Sequence, residues 1–324
     1  MNTEGSEGPE VRRRLTWTQL PDGVRHLITE RTGAVRSATS QEGGYSPGMA
    51  SVLETASGRV FVKVASANQN ARSAELHRKE AAVSEVLRDV GEELPAPAFR
   101  WSVEVESGGD TWVVLAFDAA DGPGPRIPWQ AEELGEALEL VGAVGRLRAP
   151  DHPEIGPVRE LIFGEWHTVA ADGEVRRRVL ALDESGWLGA RLDDLAALAD
   201  QWPEAVDGTA LVHHDLRADN MVRSGGRLLA VDWPYASRGA PWLDLLGMMP
   251  SMALEGGGDP EEVFTAHPVG AAADQDAVTV AIAALTGMFL ERSVQAPPPG
   301  IPHVRSFQRD QGLVGVRWLR SRLG

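Results

Sequence analysis

The sequence predicts an α+β fold of two parts, a small strand-rich amino-terminal part and a larger, mainly helical carboxy-terminal part. Two segments, GRVFVKVA and TWVVLAF, have the apolar and β-branched character of strands. A Gly- and Pro-rich connector, DAADGPGP, follows the second segment, and apolar residues beyond it recur at helical spacing. We therefore expect domains of residues 1–118 and 119–324, which a chain of this length and 43% hydrophobic content can support.

A glycine-rich segment precedes the first clear strand, which we predict over residues 49–53. Gly43 and Gly44 lie close to Ser46 in EGGYSPG. Because glycine lets a backbone approach phosphate closely and adopt positive φ, this segment is a candidate phosphate-covering loop. It does not match GxGxxG, and the chain has no GxxxxGK[ST] motif, which argues against a P-loop enzyme.

Lys63 is one of two lysines among the 31 Lys and Arg residues of the chain. Alternation along GRVFVKVA places it within a strand, among apolar neighbours, where a buried ammonium needs an anionic partner. Glu80 lies on the apolar stripe of the helix predicted next, a stripe formed by Leu76, Val83, Val86, Leu87 and Val90. We predict a Lys63–Glu80 ion pair; the alternative is that Glu80 lies at a solvated helix edge.

The segment LVHHDLRADNMVRSGGRLLAVDW has the residue types needed for phosphoryl transfer. Asp215 follows His213 by two positions and precedes Asn220 by five, which gives the pattern HxDxxxxN. Two short strands, over 220–223 and 227–231, flank a turn-forming Ser-Gly-Gly and predict a hairpin with Asn220 opposite Asp232. Their oxygen atoms suit Mg²⁺, and Asp215 can accept a hydroxyl proton. The alternative is a chance match, with Asp232 capping a strand.

These residues resemble the aminoglycoside phosphotransferase family within the protein-kinase-like fold. Its catalytic loop usually runs HGDLHPGN and its metal aspartate sits in IDW, whereas this chain has HHDLRADN and VDW. The resemblance implies a bilobal fold in which Asp215 is the catalytic base and Asn220 and Asp232 bind Mg²⁺. It also implies that Asp244, in GAPWLDLL, is a structural anchor.

For the amino-terminal part, the resemblance implies binding of ATP or GTP. The Lys63–Glu80 pair would position the lysine against the phosphates, and the glycine-rich segment would cover them. The backbone of Phe117 to Ala119 would hold the adenine edge.

The catalytic loop departs from the family pattern at three positions. His214 and Asp219 replace glycines, and Arg217 stands where the family usually has His. Arg217 either contacts the transferred phosphate, since arginine makes bidentate contacts with phosphate oxygens, or only neutralises Asp219.

Charge and composition narrow the range of partners. A net charge of −16 argues against nucleic acid and permits a cationic acceptor, for which the acidic loop of residues 255–262 is a candidate unless it is merely solvated. With no cysteine, disulfides and thiolate metal sites are excluded. The longest apolar stretch, residues 277–290, is too short to span a bilayer, and no secretory signal is evident, so we expect a cytoplasmic protein.

The sequence therefore predicts a small-molecule kinase that transfers a γ-phosphoryl group to a hydroxyl of an antibiotic, such as an aminoglycoside, nucleoside or peptide, and so gives resistance. A metabolic kinase for a sugar or amino-alcohol remains an alternative, because the same catalytic parts serve many acceptors. A noncatalytic nucleotide-binding module is the third possibility, which the substitutions at His214 and Asp219 support. The sequence does not set the oligomeric state.

Overall fold

The computed structural model describes residues 14–41, 48–298 and 303–324, and the chain forms two compact units. The first unit runs to Ala81 and includes Phe99–Ala119, and the second comprises Ala82–Ala98 and Ala120–Gly324. Residues 82–98 group with the second unit, and the division into domains of residues 1–118 and 119–324 stays a prediction. Gly43, Gly44 and Ser46 lie outside the described residues.

The first unit is built around an antiparallel sheet of five strands in the order β1-β2-β3-β5-β4. Its elements are α1 (Asp22–Thr32), β1 (Val35–Ser40), β2 (Met49–Thr55), β3 (Gly58–Ser66), most of α2 (Ala71–Leu87), β4 (Phe99–Ser107) and β5 (Asp110–Asp118). The alternation of β3 produces two faces: its valines join one core with α1, while Ala65 joins a second core with Ala74 of α2. Lys63 belongs to the same face as Ala65.

The second unit is mainly helical, as predicted. Its helices are α3 (Ala131–Arg146), α4 (Glu165–Ala171), α5 (Gly173–Leu180), α6 (Trp187–Ala199), α7 (Trp202–Ala205), α8 (Leu243–Leu254), α9 (Pro260–Ala266), α10 (Pro268–Ala271), α11 (Gln275–Ser293) and α12 (Val304–Leu323). Two small antiparallel pairs join β6 (Ala210–Val212) to β9 (Ser237–Gly239) and β7 (Met221–Ser224) to β8 (Arg227–Ala230).

Close packing of α11 against α12 fixes the position of the last helix. A Cβ atom added at Gly312 would meet the Leu290 side chain at 2.6 Å, and one at Gly315 would collide with Thr286. At the far end of α12, Arg322 makes a bidentate pair with Glu261 of α9. These contacts hold α12 in place, and Phe307 lies in the first turn of this helix.

The apolar stretch of residues 277–290 forms the middle of α11. Among the helices described by the structure, none is long and apolar enough to cross a membrane.

Candidate active site

Lys63 and Glu80 form a buried ion pair in the first unit, which confirms the predicted contact. The Lys63 ammonium donates to Glu80 Oε1 at 2.7 Å and to Oε2 at 3.0 Å. Only 11% of the lysine side chain and 4% of the glutamate side chain are exposed. The strand and the helix supply one charge each, and the pair fixes the direction of the lysine. That it serves a nucleotide stays a prediction.

Phe117 and Ala119 lie at the end of β5, where the strand runs into the connector. The Phe117 ring lies 5.3 Å from that of Phe99, and the Lys63 Nζ lies 5.8 Å from the Phe117 ring centroid. β5 ends at Asp118, so Ala119 is the first residue of the connector. The proposed contact of this backbone with adenine remains a prediction.

In the second unit, a buried carboxylate holds the backbone of the catalytic loop. Asp244, in the first turn of α8, accepts hydrogen bonds from the backbone N–H groups of His213 at 2.7 Å and His214 at 2.8 Å. Burial raises the pKa of Asp244 to about 6, although these two hydrogen bonds oppose the shift. The geometry is that of an anchor, as the sequence suggested.

We expect Asp244→Asn to lower the free energy of unfolding by about 2 kcal/mol, because an amide NH₂ would face one backbone N–H and leave it without an acceptor. Urea denaturation measures the loss. Asp274→Asn is the matched control, since Asp274 caps α11 and asparagine is an equally good helix cap. Equal stability of the two variants would contradict the anchoring role.

The histidines of the loop have separate structural tasks. His213 is fully buried, its Nδ1 accepts from the Asp215 N–H at 3.3 Å, and its Nε2 contacts the Val231 carbonyl at 2.9 Å. Since the carbonyl is an acceptor, the proton resides on Nε2. His214 adopts a left-handed backbone with φ of 73°, which explains why the family pattern has glycine here. The side chain of His214 contacts the Ser237 hydroxyl.

The Asp215 carboxylate is contacted by two side chains of the same loop, those of Asn220 and Arg217. Asn220 Nδ2 donates to Asp215 Oδ2 at 3.0 Å, and Arg217 Nε lies 2.9 Å from Oδ1. The side chain remains 43% exposed. Crowding by protein atoms nevertheless raises its pKa to about 6; Arg217 opposes this shift, and the charges of Asp219 and Asp232 add to it. Such a carboxylate is poised to accept a proton near neutral pH.

The hairpin forms, but its register differs from the predicted one. Met221 pairs with Ala230, and the Val231 N–H donates to the Asn220 carbonyl at 3.0 Å, so Asn220 faces Val231 instead of Asp232. The prediction centred the turn on Gly226, whereas the turn consists of two residues, Gly225 and Gly226, with φ of 58° and 77°. Two consecutive positive φ angles produce a tight hairpin that shifts the partner by one residue.

Asp232, one residue beyond the hairpin, adopts a left-handed φ of 68°. This reversal takes the chain out of the strand direction, and the charge of Asp232 still reaches Asp215. The Asn220 amide nitrogen donates to the backbone carbonyl of Asp215 at 2.7 Å as well as to the Asp215 carboxylate. The Asn220 amide oxygen is therefore left for a cation.

The donor set of Asn220 and Asp232 fits Mg²⁺, which prefers oxygen ligands and retains water and phosphate oxygens in its shell. Within residues 14–41, 48–298 and 303–324, no group of three or more His, Cys, Asp or Glu side chains is placed to hold a metal by itself. The two side chains would therefore share a cation with nucleotide phosphates and water. Their assignment as ligands stays a prediction.

Arg217 pairs with both neighbouring carboxylates, so it does more than neutralise Asp219, and its contact with a transferred phosphate stays a prediction. Its Nη2 donates to Asp219 Oδ2 at 3.0 Å, in addition to the Nε contact with Asp215. Its Cζ lies 4.8 Å from the centroid of the Phe307 ring. The sequence reasoning did not single out Phe307 as a functional residue, because its place in an apolar helix face indicates only packing.

The acidic loop separates into residues with different surroundings. Asp259 caps α9, and Glu261 binds Arg322 and the Trp318 indole N–H. Glu255 accepts from the Trp129 indole N–H at 3.1 Å. Burial raises its pKa, and the charge of Asp219 raises it further, which places Glu255 within electrostatic reach of the catalytic loop.

The aromatic residues after Asp232 also differ from each other. Trp233 is buried, donates to the Ala230 carbonyl at 3.1 Å and lies against the His213 ring, so its role is packing. Tyr235 is exposed.

The fold and the loop geometry are those expected of a kinase-like enzyme that transfers phosphoryl groups to small molecules. The model of the phosphotransferase enzyme family (APH) matches residues 38–264, more than two thirds of the chain. The chain therefore belongs to this family, and it is a phosphotransferase that acts on hydroxyl groups. No curated protein shows a significant match to the sequence.

Solved structures share the fold at low sequence identity, which confirms the protein-kinase-like expectation. Choline kinase LicA from Streptococcus pneumoniae is 16% identical, with a TM-score of 0.55, over 92% of this chain and 100% of the other. Aminoglycoside phosphotransferase APH(4)-Ia, solved with AMP-PNP and hygromycin B, is also 16% identical, with a TM-score of 0.55, over 91% and 98%. Spectinomycin phosphotransferase APH(9)-Ia, solved with ADP and spectinomycin, is 12% identical, with a TM-score of 0.54, over 94% and 95%.

Proposed function

We propose that this protein is a Mg²⁺- and ATP-dependent kinase that phosphorylates a hydroxyl group of an antibiotic and thereby gives resistance. The observation that carries the proposal is the Asp215 carboxylate, which lies on an anchored loop in contact with Asn220 and Arg217. The AMP-PNP bound to APH(4)-Ia and the ADP bound to APH(9)-Ia support ATP as the donor, with GTP the alternative. The hygromycin B and spectinomycin bound to the same two enzymes support an antibiotic acceptor.

In this proposal, each residue of the chain has a positioning or a proton-transfer task. Lys63, oriented by Glu80, binds phosphate oxygens of the nucleotide. Asp215 orients the acceptor hydroxyl and accepts its proton, and Arg217 stabilises charge on the transferred phosphoryl group. Asn220 and Asp232 would hold Mg²⁺, which would neutralise phosphate charge when bound.

The likeness to choline kinase LicA supports a second candidate, a metabolic kinase for an amino-alcohol. The catalytic residues are compatible with both functions, because their task is independent of the rest of the acceptor. The net charge of −16 is compatible with a cationic acceptor of either kind.

The test is incubation of the protein with MgATP or MgGTP and a panel of hygromycin B, spectinomycin, nucleoside and peptide antibiotics, and choline. Mass spectrometry of the products would show the gain of one phosphoryl group and name the acceptor. Growth of a sensitive host that expresses the protein then separates resistance from metabolism. Nucleotide binding with neither transfer nor hydrolysis, with several metals, would favour the noncatalytic module.

We expect kcat/KM for transfer to fall as the pH drops below about 6, because Asp215 binds a proton there and can no longer accept one. The Arg217 charge holds this pKa down, so Arg217→Gln should move the acidic limb of the pH profile to higher pH. Initial rates from pH 5 to 8 locate the acidic limb in the wild type and in the variant. An acidic limb at the same pH in the variant would contradict the role of the guanidinium charge.

A further inference from the structure

The Phe307 ring links the last helix to the catalytic loop. The Arg217 guanidinium carbon lies 4.8 Å from the ring centroid, a distance at which the ring face attracts a cation. The Arg217 side chain is only 14% exposed, and the ring and the two carboxylates are among the groups that surround it.

The ring itself is held firmly, because the start of α12 is anchored on both sides. Arg305 Nε and Nη2 donate to the Ala296 carbonyl at 3.1 and 2.8 Å, which ties the first turn of α12 to the chain after α11. The close contacts of Gly312 and Gly315 with α11 fix the next turns. Phe307 therefore presents its ring from a fixed helix and not from a freely moving loop.

The guanidinium has donors to spare in this arrangement. Its Nη2 donates to Asp219, whereas Nε lies 2.9 Å from Asp215 Oδ1 without the geometry of a hydrogen bond, and Nη1 makes no hydrogen bond to any residue in the described ranges. A guanidinium is planar, so the Nη2 hydrogen bond and the face of the Phe307 ring together set the direction of Nη1. Its remaining N–H groups suit phosphate oxygens.

We propose that Phe307 is a positioning residue for phosphoryl transfer: its ring holds Arg217 against Asp215 and Asp219 so that Nη1 can contact the transferred phosphoryl group. The proposal rests on the proposed kinase function. Without the ring, the guanidinium regains rotamers, and its pairing with the exposed carboxylate of Asp219 can draw it away from Asp215. In this proposal Phe307 acts only through Arg217, so replacing Phe307 should have no further effect once Arg217 has been replaced. A purely structural residue would still cause a loss of activity in that background.

The experiment compares Phe307→Leu, Phe307→Tyr, Arg217→Gln and the double variant of Phe307→Leu with Arg217→Gln. The readouts are kcat and KM for transfer from MgATP to hygromycin B, spectinomycin or choline, and phosphate release from MgATP alone. Phe307→Leu should lower kcat about three- to tenfold and leave KM for MgATP unchanged. Phe307→Tyr, which keeps the aromatic face, should restore kcat. In the Arg217→Gln background, Phe307→Leu should cause no further loss.

Phe163→Leu is the matched control, because Phe163 is also half-buried and lies against an aromatic ring, that of Trp202, at 4.3 Å. It should fold and react like the wild type. Equal kcat for wild type and Phe307→Leu would overturn the proposal while leaving the kinase function intact. Additive losses in the double variant would overturn it too, because Phe307 would then act independently of Arg217. A wild type with neither transfer nor phosphate release would overturn the kinase function and this proposal together.

Discussion

Asp215→Asn is expected to lower kcat for phosphoryl transfer by about 10²–10⁴-fold, the range typical of a general base. The amide keeps the size of the carboxylate but cannot accept the hydroxyl proton. Nucleotide affinity should change little, because the residue acts on the acceptor. Single-turnover rates and nucleotide titration, measured on the same preparation, separate these two effects.

Asp219→Asn is the control for this variant, since it removes the same charge from the same loop and shares the Arg217 guanidinium. Asp219→Asn should leave kcat within a few-fold of the wild type, because Asp219 forms an ion pair with Arg217 and has no proposed role in accepting the proton of the acceptor hydroxyl. If Asp219→Asn lowered kcat as strongly as Asp215→Asn, charge balance in the loop would explain both losses. Asp215 would then not be the base.

The parts of the site that the sequence predicted correctly depend on short-range periodicity. Lys63 lies on the inner face of a strand and Glu80 on the apolar stripe of the next helix, so burial alone requires the two charges to meet. Likewise, a Ser-Gly-Gly turn between two short apolar runs predicts a hairpin. The position of Asp244 beneath the loop followed from the resemblance and could not be obtained from spacing.

The features that the sequence did not predict depend on backbone angles or on distant contacts. The register of the hairpin depends on whether its turn contains two or three residues, and the Gly pair allows either. The left-handed conformation of Asp232 has no sequence marker, because aspartate adopts it only occasionally. The contact between Arg217 and Phe307 joins segments of the second unit that are distant in sequence, and the packing of α12 sets it.

Lys63→Met is expected to lower the free energy of unfolding by about 3 kcal/mol, because it removes the ammonium from a buried glutamate. It should also abolish measurable transfer, since a thioether cannot bind phosphate oxygens. The two effects have different causes, and adding Glu80→Leu to Lys63→Met separates them. Apolar replacement of both partners of a buried pair often restores stability. The double variant should therefore regain stability but not transfer, as urea denaturation and phosphorylation assays would show.

Glu104→Gln is the matched control. Glu104 of β4 pairs with Arg78 of α2, so this ion pair also joins the sheet to α2, but it is exposed to solvent. Their side chains are 47% and 43% exposed, so the loss of this pair should change stability by less than about 1 kcal/mol. If the double variant of Lys63 and Glu80 recovered transfer together with stability, Lys63 would have only a structural role. The phosphate-binding role would then have to belong to another residue of the first unit. Recovery of stability alone would instead assign the loss of transfer to the missing ammonium.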